Sequence, residues 1–329
     1  MEISGKNKYF QDIGNELRRQ YIDAESANVA LREAIAESDK FKGSMSWKTV
    51  HGIEYLTKTY SSSQKSLGKR SPETESIYSK FIANKHLASE RKLGLLKRNF
   101  LNERMNRALR LGRAPDMMVE ILNKLEQHNL SNHFMVIGTH ALYAYEAAAG
   151  VRIVPSGALE TKDVDLLWDT RRRASFAASM AISESSMIGI LKSVDRSFRI
   201  SHEDKYKAVN KDGFEVDIIR REASEGDPHP MRITENEDDF WAVQAVNAGQ
   251  LISSPKFSSM VVSTSGKMAM MHTVHPLVFS RFKKWMSELS DRDPLKRSRD
   301  LLQSVIVEEL VEEYLPNLKN PGEQKRPSI

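Results

Sequence analysis

Two short acidic segments carry the residues best suited to chemistry. In TKDVDLLWD, Asp163 and Asp165 flank Val164 and run into Leu166, Leu167 and Trp168; in GFEVDIIRR, Glu215 and Asp217 flank Val216 and run into Ile218 and Ile219. Side chains alternate faces along a β-strand, so each segment sets two carboxylates on one face and apolar residues on the other. Like charges so close repel, and burying them unpaired costs several kcal/mol. A divalent cation removes that penalty by accepting both as oxygen ligands, and Mg²⁺ is commonly held by one or two carboxylates plus substrate phosphates. A lone Asp-x-Asp is most often a strand end reaching solvent; a second acidic strand of the same form points instead to a shared site. If the two strands are neighbours in one sheet, a third carboxylate joins the first pair, enough to hold two ions about 3.5–4 Å apart for phosphoryl transfer. Asp217 is the better third member, because it precedes Ile218-Ile219 as Asp165 precedes Leu166-Leu167, which leaves Glu215 as a rim residue or spare ligand.

Such a site also needs a place for phosphate. FMVIG (Phe134 to Gly138) reads as a short buried strand, and THALYAYEAAAG as a helix ending at Gly150, a residue suited to a left-handed cap. Backbone can approach a ligand closely at Gly138, and the free N–H groups and dipole of a helix starting at Thr139 favour an anion. The Thr139 hydroxyl is then a helix cap or a phosphate ligand.

The elements that must position these residues fall into three textures. Residues 1–127 are helical in pattern and basic, interrupted by WKTVHGIEYLTKTYSS, whose composition suits a hairpin or structured loop. Residues 128–272 alternate strand and helix and form the expected catalytic core. Within it KYKAVNKDGFEVDIIRR reads as two strands joined through Asp212-Gly213, Ala174 to Val194 as mostly helix, and ENEDD (Glu235 to Asp239) as a solvated acidic turn opening a helix FWAVQAV. STSGKM lacks the first glycine of a P-loop and reads as a turn between MVVS and MAMM. Residues 273–318 carry two amphipathic helices linked by SDRDP, and 319–329 read as a disordered tail. The expected class is α+β, a small mixed sheet flanked by N-terminal and C-terminal helices.

Strand, Gly138-Thr139, helix, Asp163-Val164-Asp165 on a strand and a single Asp217 on a later strand resemble the nucleotidyltransferase superfamily with the DNA polymerase β-like catalytic fold. The resemblance implies an enzyme of the nucleotidyltransferase class (EC 2.7.7) that moves NMP from an NTP to a hydroxyl or phosphate acceptor and releases pyrophosphate. By that resemblance Asp163, Asp165 and Asp217 bind two Mg²⁺ ions, or Mn²⁺, and Asp217 also helps activate the incoming hydroxyl. NRALRLGRAP, TKDVDLLWD and DRDPLKRSRDLLQS together look like a family of bacterial predicted nucleotidyltransferases, and the C-terminal helices look like those of abortive-infection and MenT-type nucleotidyltransferase toxins. In those toxins a helical lysine contacts the nucleotide phosphates and a downstream Asp supports the site; the matching positions are Lys283 or Lys284, then Lys296, Arg297 and Asp300. Two departures from the pattern are Gly-Thr in place of Gly-Ser, and the 24 positions from Thr139 to Asp163, where GVRIVPSGALETK must form a loop or small hairpin near the site.

Composition narrows the chemistry further. With 329 residues and no cysteine, the chain can bury a full core but cannot use disulfides, thiolate zinc sites or cysteine nucleophiles. The histidines of HTVHP, His272 and His275, are three apart, but Pro276 disfavours a continuous helix across them and no carboxylate is near in sequence. No run approaches the roughly 18 apolar residues of a membrane span, and the polar N-terminus lacks a signal peptide's centre, so a cytoplasmic location without membrane contact is expected. The net charge of +5 is concentrated: Lys85 to Arg113 hold nine basic residues against two acidic ones, Glu90 and Glu103. That stripe is either a solvated helical face or a binding surface for RNA or a tRNA end as acceptor. The alternatives are a nucleotidyltransferase acting on protein or small molecules, and a non-catalytic binding module of the same fold.

Overall fold

The computed structural model describes residues 8–60, 63–159, 161–183, 185–224, 227 and 231–319. It is an α+β protein whose chain divides into two compact units, residues 1–18 with 110–329 and residues 19–109. The expected tail from residue 320 onward lies outside the described residues.

The larger unit is organised by one mixed sheet. Its main strands are Phe134–Ile137 (β1), Asp163–Trp168 (β2), Lys207–Val209 (β3), Glu215–Arg221 (β4), Trp241–Ala245 (β5), Lys256–Val262 (β6) and Met268–Val274 (β7), with the two-residue strands Arg199–Ile200 beside β3 and Met231–Arg232 beside β5. Across the sheet the order is β5-β4-β2-β1-β7-β6, with β3 pairing the first half of β4 on the side where β5 pairs its second half. Strands β2 and β4 are parallel, as are β4 with β5 and β1 with β7; β1 and β2 are antiparallel, and so are β6 and β7. The β6–β7 hairpin turns at STSGKM, where Gly266 takes a left-handed φ of 91°.

Alternation divides the core into two layers. Val136, Val164, Leu166, Trp168, Val216 and Ile218 pack on one face, beneath helix Asp116–Gln127 (α1) and the helix Met187–Val194. Met135, Ile137 and Leu167 pack on the other, beneath Leu142–Ala149 (α2), Pro276–Glu288 (α3) and Pro294–Tyr314 (α4). Asp163 and Asp165 alternate with the first set and therefore point to the second face, the one covered by the C-terminal helices. The GVRIVPSGALETK segment pairs its residues Val151–Ile153 with Phe10–Asp12 and then forms a 3₁₀ turn at Ser156–Ala158.

The expected helix FWAVQAV is a strand. Ile219 to Arg221 of β4 pair in parallel with Val243 to Ala245, and this row of backbone partners outweighs a short apolar run that periodicity alone cannot assign. Nor is ENEDD wholly solvated: Asp239 is buried, accepting hydrogen bonds from the Met187 and Ile188 amides at 2.8 and 3.0 Å at the N-terminus of helix Met187–Val194.

The smaller unit holds most of helix Gly14–Lys40, an antiparallel three-stranded sheet of Ser44–Val50, Ile53–Tyr60 and Ser63–Lys69, and helix Pro72–Ala108. Ser71 and Thr74 form a reciprocal capping box at the start of the long helix. Its buried face carries Asn99, Asn102 and Asn106, which meet Asn28 and Gln20 of the first helix side chain to side chain. The basic stripe lies on this helix up to Arg107. Arg113, past its end, is instead part of the larger unit, donating to Glu146 and to the Ile153 carbonyl.

Candidate active site

The register between β2 and β4 aligns the acidic residues two by two: Asp217 lies opposite Asp165 and Glu215 opposite Asp163. Because residues paired across neighbouring strands share a face, the four carboxylates form a two-by-two patch at the strand starts. Burial pushes the carboxyl of Asp165 up to about 7, assisted by the charges of Asp163 and Asp217. Burial likewise raises that of Asp217 to about 6, against the pull of Lys207.

Strand β1 brings in the third part. Ile137 pairs with Asp165, so the chain turns at Gly138 directly against that carboxylate. Gly138 has φ +69°, and a Cβ there would overlap Asp165 Oδ2, so both the backbone conformation and the space call for glycine. Thr139 opens a 3₁₀ turn that leads into α2, which ends at Gly150 in the left-handed conformation. The Thr139 hydroxyl does not cap the helix; it is buried and accepts a hydrogen bond from Gln303 Nε2 at 3.0 Å. The same amide donates to the Ala158 carbonyl at 2.7 Å, tying α4 to the loop before β2. Next in sequence, His140 donates from Nδ1 to the Asp163 carbonyl at 2.8 Å, with burial holding its pKa down to about 4 and the ring neutral. It pins the backbone at the first aspartate.

The C-terminal helices supply the cationic side. Lys283 on α3 donates to Asp300 Oδ1 on α4 at 2.7 Å, and Arg292 Nε reaches Asp300 Oδ2 at 2.6 Å. Lys283 and Asp300 are both buried, and the charge of Lys283 reaches Asp165. Of the two adjacent lysines it is Lys283 that faces inward. Lys296 and Arg297 do not join this cluster: among the described residues neither forms a side-chain hydrogen bond or ion pair, and Lys296 is exposed one turn before Asp300. Arg299, adjacent to Asp300, is the α4 arginine whose charge reaches Asp165.

Residues missed from sequence are Lys207, Arg292, Arg299, Gln303 and His140. Lys207 lies opposite Asp217 across β3–β4, and its ammonium is 2.5 Å from Glu215 Oε2 and 4.0 Å from Asp217 Oδ1. The histidines of HTVHP separate: His272 meets Ser258 across the β6–β7 hairpin, and His275 caps α3 by accepting from the Leu277 amide.

The donor set suits a divalent cation of a particular kind. Among the described residues no three acidic or histidine side chains converge as a ready-made cage. Asp163 and Asp165 nevertheless share a face and, among the described residues, form no ion pair, and Asp217 Oδ1 is buried with no hydrogen-bond partner among them. That pattern fits Mg²⁺ or Mn²⁺, which take one or two carboxylates and complete their shell with phosphate and water. A strand, a glycine turn against an aspartate, a short helix and two paired acidic strands are the arrangement expected from the sequence resemblance, and the match to known families agrees: residues 116–324 match the family described as Nucleotidyltransferase. The chain belongs to this nucleotidyltransferase family. Comparison with curated proteins and with solved structures gives no match. Among the described residues no single helix is long and apolar enough to cross a membrane.

Proposed function

We propose that this nucleotidyltransferase moves an NMP group from an NTP to an acceptor hydroxyl, releasing pyrophosphate, in a divalent-cation-dependent reaction. The observation that carries this reading is the register setting Asp217 beside Asp165 while the Gly138 backbone closes on the same carboxylate. When bound, Mg²⁺ or Mn²⁺ neutralises the triphosphate and withdraws charge from the α-phosphorus. Asp163 and Asp165 are the residues that would hold it. Gly138 and the first turn after it present backbone N–H groups to the phosphates. The acceptor oxygen bonds to the α-phosphorus as the bond from that phosphorus to the α–β bridging oxygen breaks, and pyrophosphate departs with the electron pair. Asp217 receives the acceptor's proton as the general base. Lys283, held by Asp300, keeps a positive charge beside Asp165 as the triphosphate enters.

The acceptor we propose is RNA, including tRNA ends, because the long helix Pro72–Ala108 exposes most of the basic stripe, and such a stripe attracts a polyanion. Kinship with abortive-infection and MenT-type toxins belongs to the same proposal and rests on the Lys283–Asp300 pair. Incubating the protein with radiolabelled NTPs, Mg²⁺ and total cell extract tests both parts. Label is expected in RNA, and is expected to vanish with Asp163→Ala, a loss of roughly a thousandfold, the scale of several kcal/mol of transition-state stabilisation. Full activity in Asp163→Ala removes the assigned site; label in protein or small molecules alone removes the RNA acceptor.

A further inference from the structure

The carboxylate face contains a cation that a site built for two divalent ions has no need of. Lys207, Asp217 and Asp165 occupy one row across β3, β4 and β2, in that order, because Lys207 pairs with Asp217 and Asp217 with Asp165. In the next row Glu215 lies beside Asp163. Glu215 turns to the lysine, holding its ammonium at 2.5 Å, and so serves as an anchor for Lys207 in place of a spare metal ligand. The ammonium thus stands 4.0 Å from Asp217 Oδ1, an oxygen that is buried and accepts no hydrogen bond. At the other end of the row the balance is opposite: among the described residues neither Asp163 nor Asp165 forms an ion pair, and Lys283, the buried cation nearest in charge, is bonded to Asp300.

Building on the nucleotidyl-transfer reading, we propose that Lys207 is the resident cation of the Asp217 position. The site then takes one tightly held divalent ion, at Asp163 and Asp165 with the triphosphate, and the Lys207 ammonium supplies the positive charge that a second ion would bring to Asp217. Lys207 is a positioning residue in this account: it acts on the transfer through Asp217. The absence of a three-acid cage among the described residues agrees with this division.

The test counts ions. The full chain is saturated with a mixture of α,β-methylene NTPs, gel-filtered, and titrated with Mn²⁺, and the tight Mn²⁺ bound per retained nucleotide is read by electron paramagnetic resonance. Wild type and Lys207→Arg are expected to hold one, and Lys207→Met, which keeps the apolar stem and loses the charge, is expected to hold two. Two tight ions in the wild type overturn the role of Lys207 and leave the nucleotidyl-transfer reading standing. A folded Lys207→Met that still holds one also overturns it, and the wild-type count decides even if that variant does not fold. Nucleotide-dependent Mn²⁺ binding that is wholly absent overturns the nucleotidyl-transfer reading itself.

Discussion

The acidic patch on β2 and β4 and the Lys283–Asp300–Arg292 cluster both place charge beneath the C-terminal helices, and they balance it in opposite ways. Asp300 is fully buried, with each carboxylate oxygen met by a cationic donor within 2.7 Å. Asp163 and Asp165 have like charges for neighbours and, among the described residues, no cation bonded to them. A closed cluster of the first kind orders the helices; an open one of the second kind raises the free energy of the empty protein and lowers it again when a cation arrives. The difference teaches that the carboxylates left open to an arriving cation are the half-buried ones without a bonded partner among the described residues, whereas the fully buried Asp300 is already satisfied.

Breaking the closed cluster is expected to have the largest effect on folding. Asp300→Ala strands Lys283, whose ammonium burial already disfavours, with no counter-ion in bonding distance. Removing one partner of a buried pair costs about 3–5 kcal/mol, so urea unfolding of this variant should show a midpoint far below that of wild type. An unchanged midpoint would mean that the cluster is not structural.

The open patch is expected to respond in the other direction. The Asp165 carboxyl is raised from its ordinary value of 3.8 to about 7 in the folded chain, so the folded state holds a proton that the unfolded state releases between those values. Stability from this group is therefore greatest at low pH and falls as pH rises from about 4 to about 7, staying low above that. Asp165→Asn removes the ionisation and should melt higher than wild type at pH 8 in EDTA, by a few degrees, with the advantage gone near pH 4. Adding Mg²⁺ and an NTP analogue should raise the melting temperature of wild type and leave that of the variant where it was. Equal pH profiles for the two proteins would contradict the raised carboxyl.

Much of this patch was legible because a period of two survives in any strand: Asp163, Asp165, Glu215 and Asp217 could be assigned to faces before the sheet was known. Strand register was legible only in part: between β2 and β4 it is set by packing between segments about fifty positions apart, whereas β3 and β4 are joined through the Asp212-Gly213 turn, and it is this local hairpin that sets Lys207 opposite Asp217. The C-terminal helices show the same boundary. Their amphipathic pattern was readable, but the rotation of α4 against the sheet was not, so Lys296 and Arg297 were expected at the site where Arg299 and Gln303 are the residues turned toward it. FWAVQAV fails for a further reason: a short apolar run has no period to read, and only the neighbouring strand β4 decides its state.

The smallest expected effect sharpens the comparison at the seam between the two regions. Gln303 Nε2 donates both to Thr139 Oγ1 and to the Ala158 carbonyl, so Thr139→Val removes one acceptor and leaves the other. One net hydrogen bond is worth about 1 kcal/mol, and the melting temperature should fall by only a few degrees. If the hydroxyl, whose proton Gln303 leaves free, donates to a phosphate, the same variant should weaken NTP binding by about tenfold, the scale of a lost hydrogen bond to a charged group. Calorimetry with an NTP analogue separates the two roles. A small loss of stability with unchanged affinity would assign Thr139 to the closed, structural class of Asp300, and a loss of affinity would assign it to the open patch beside Asp165.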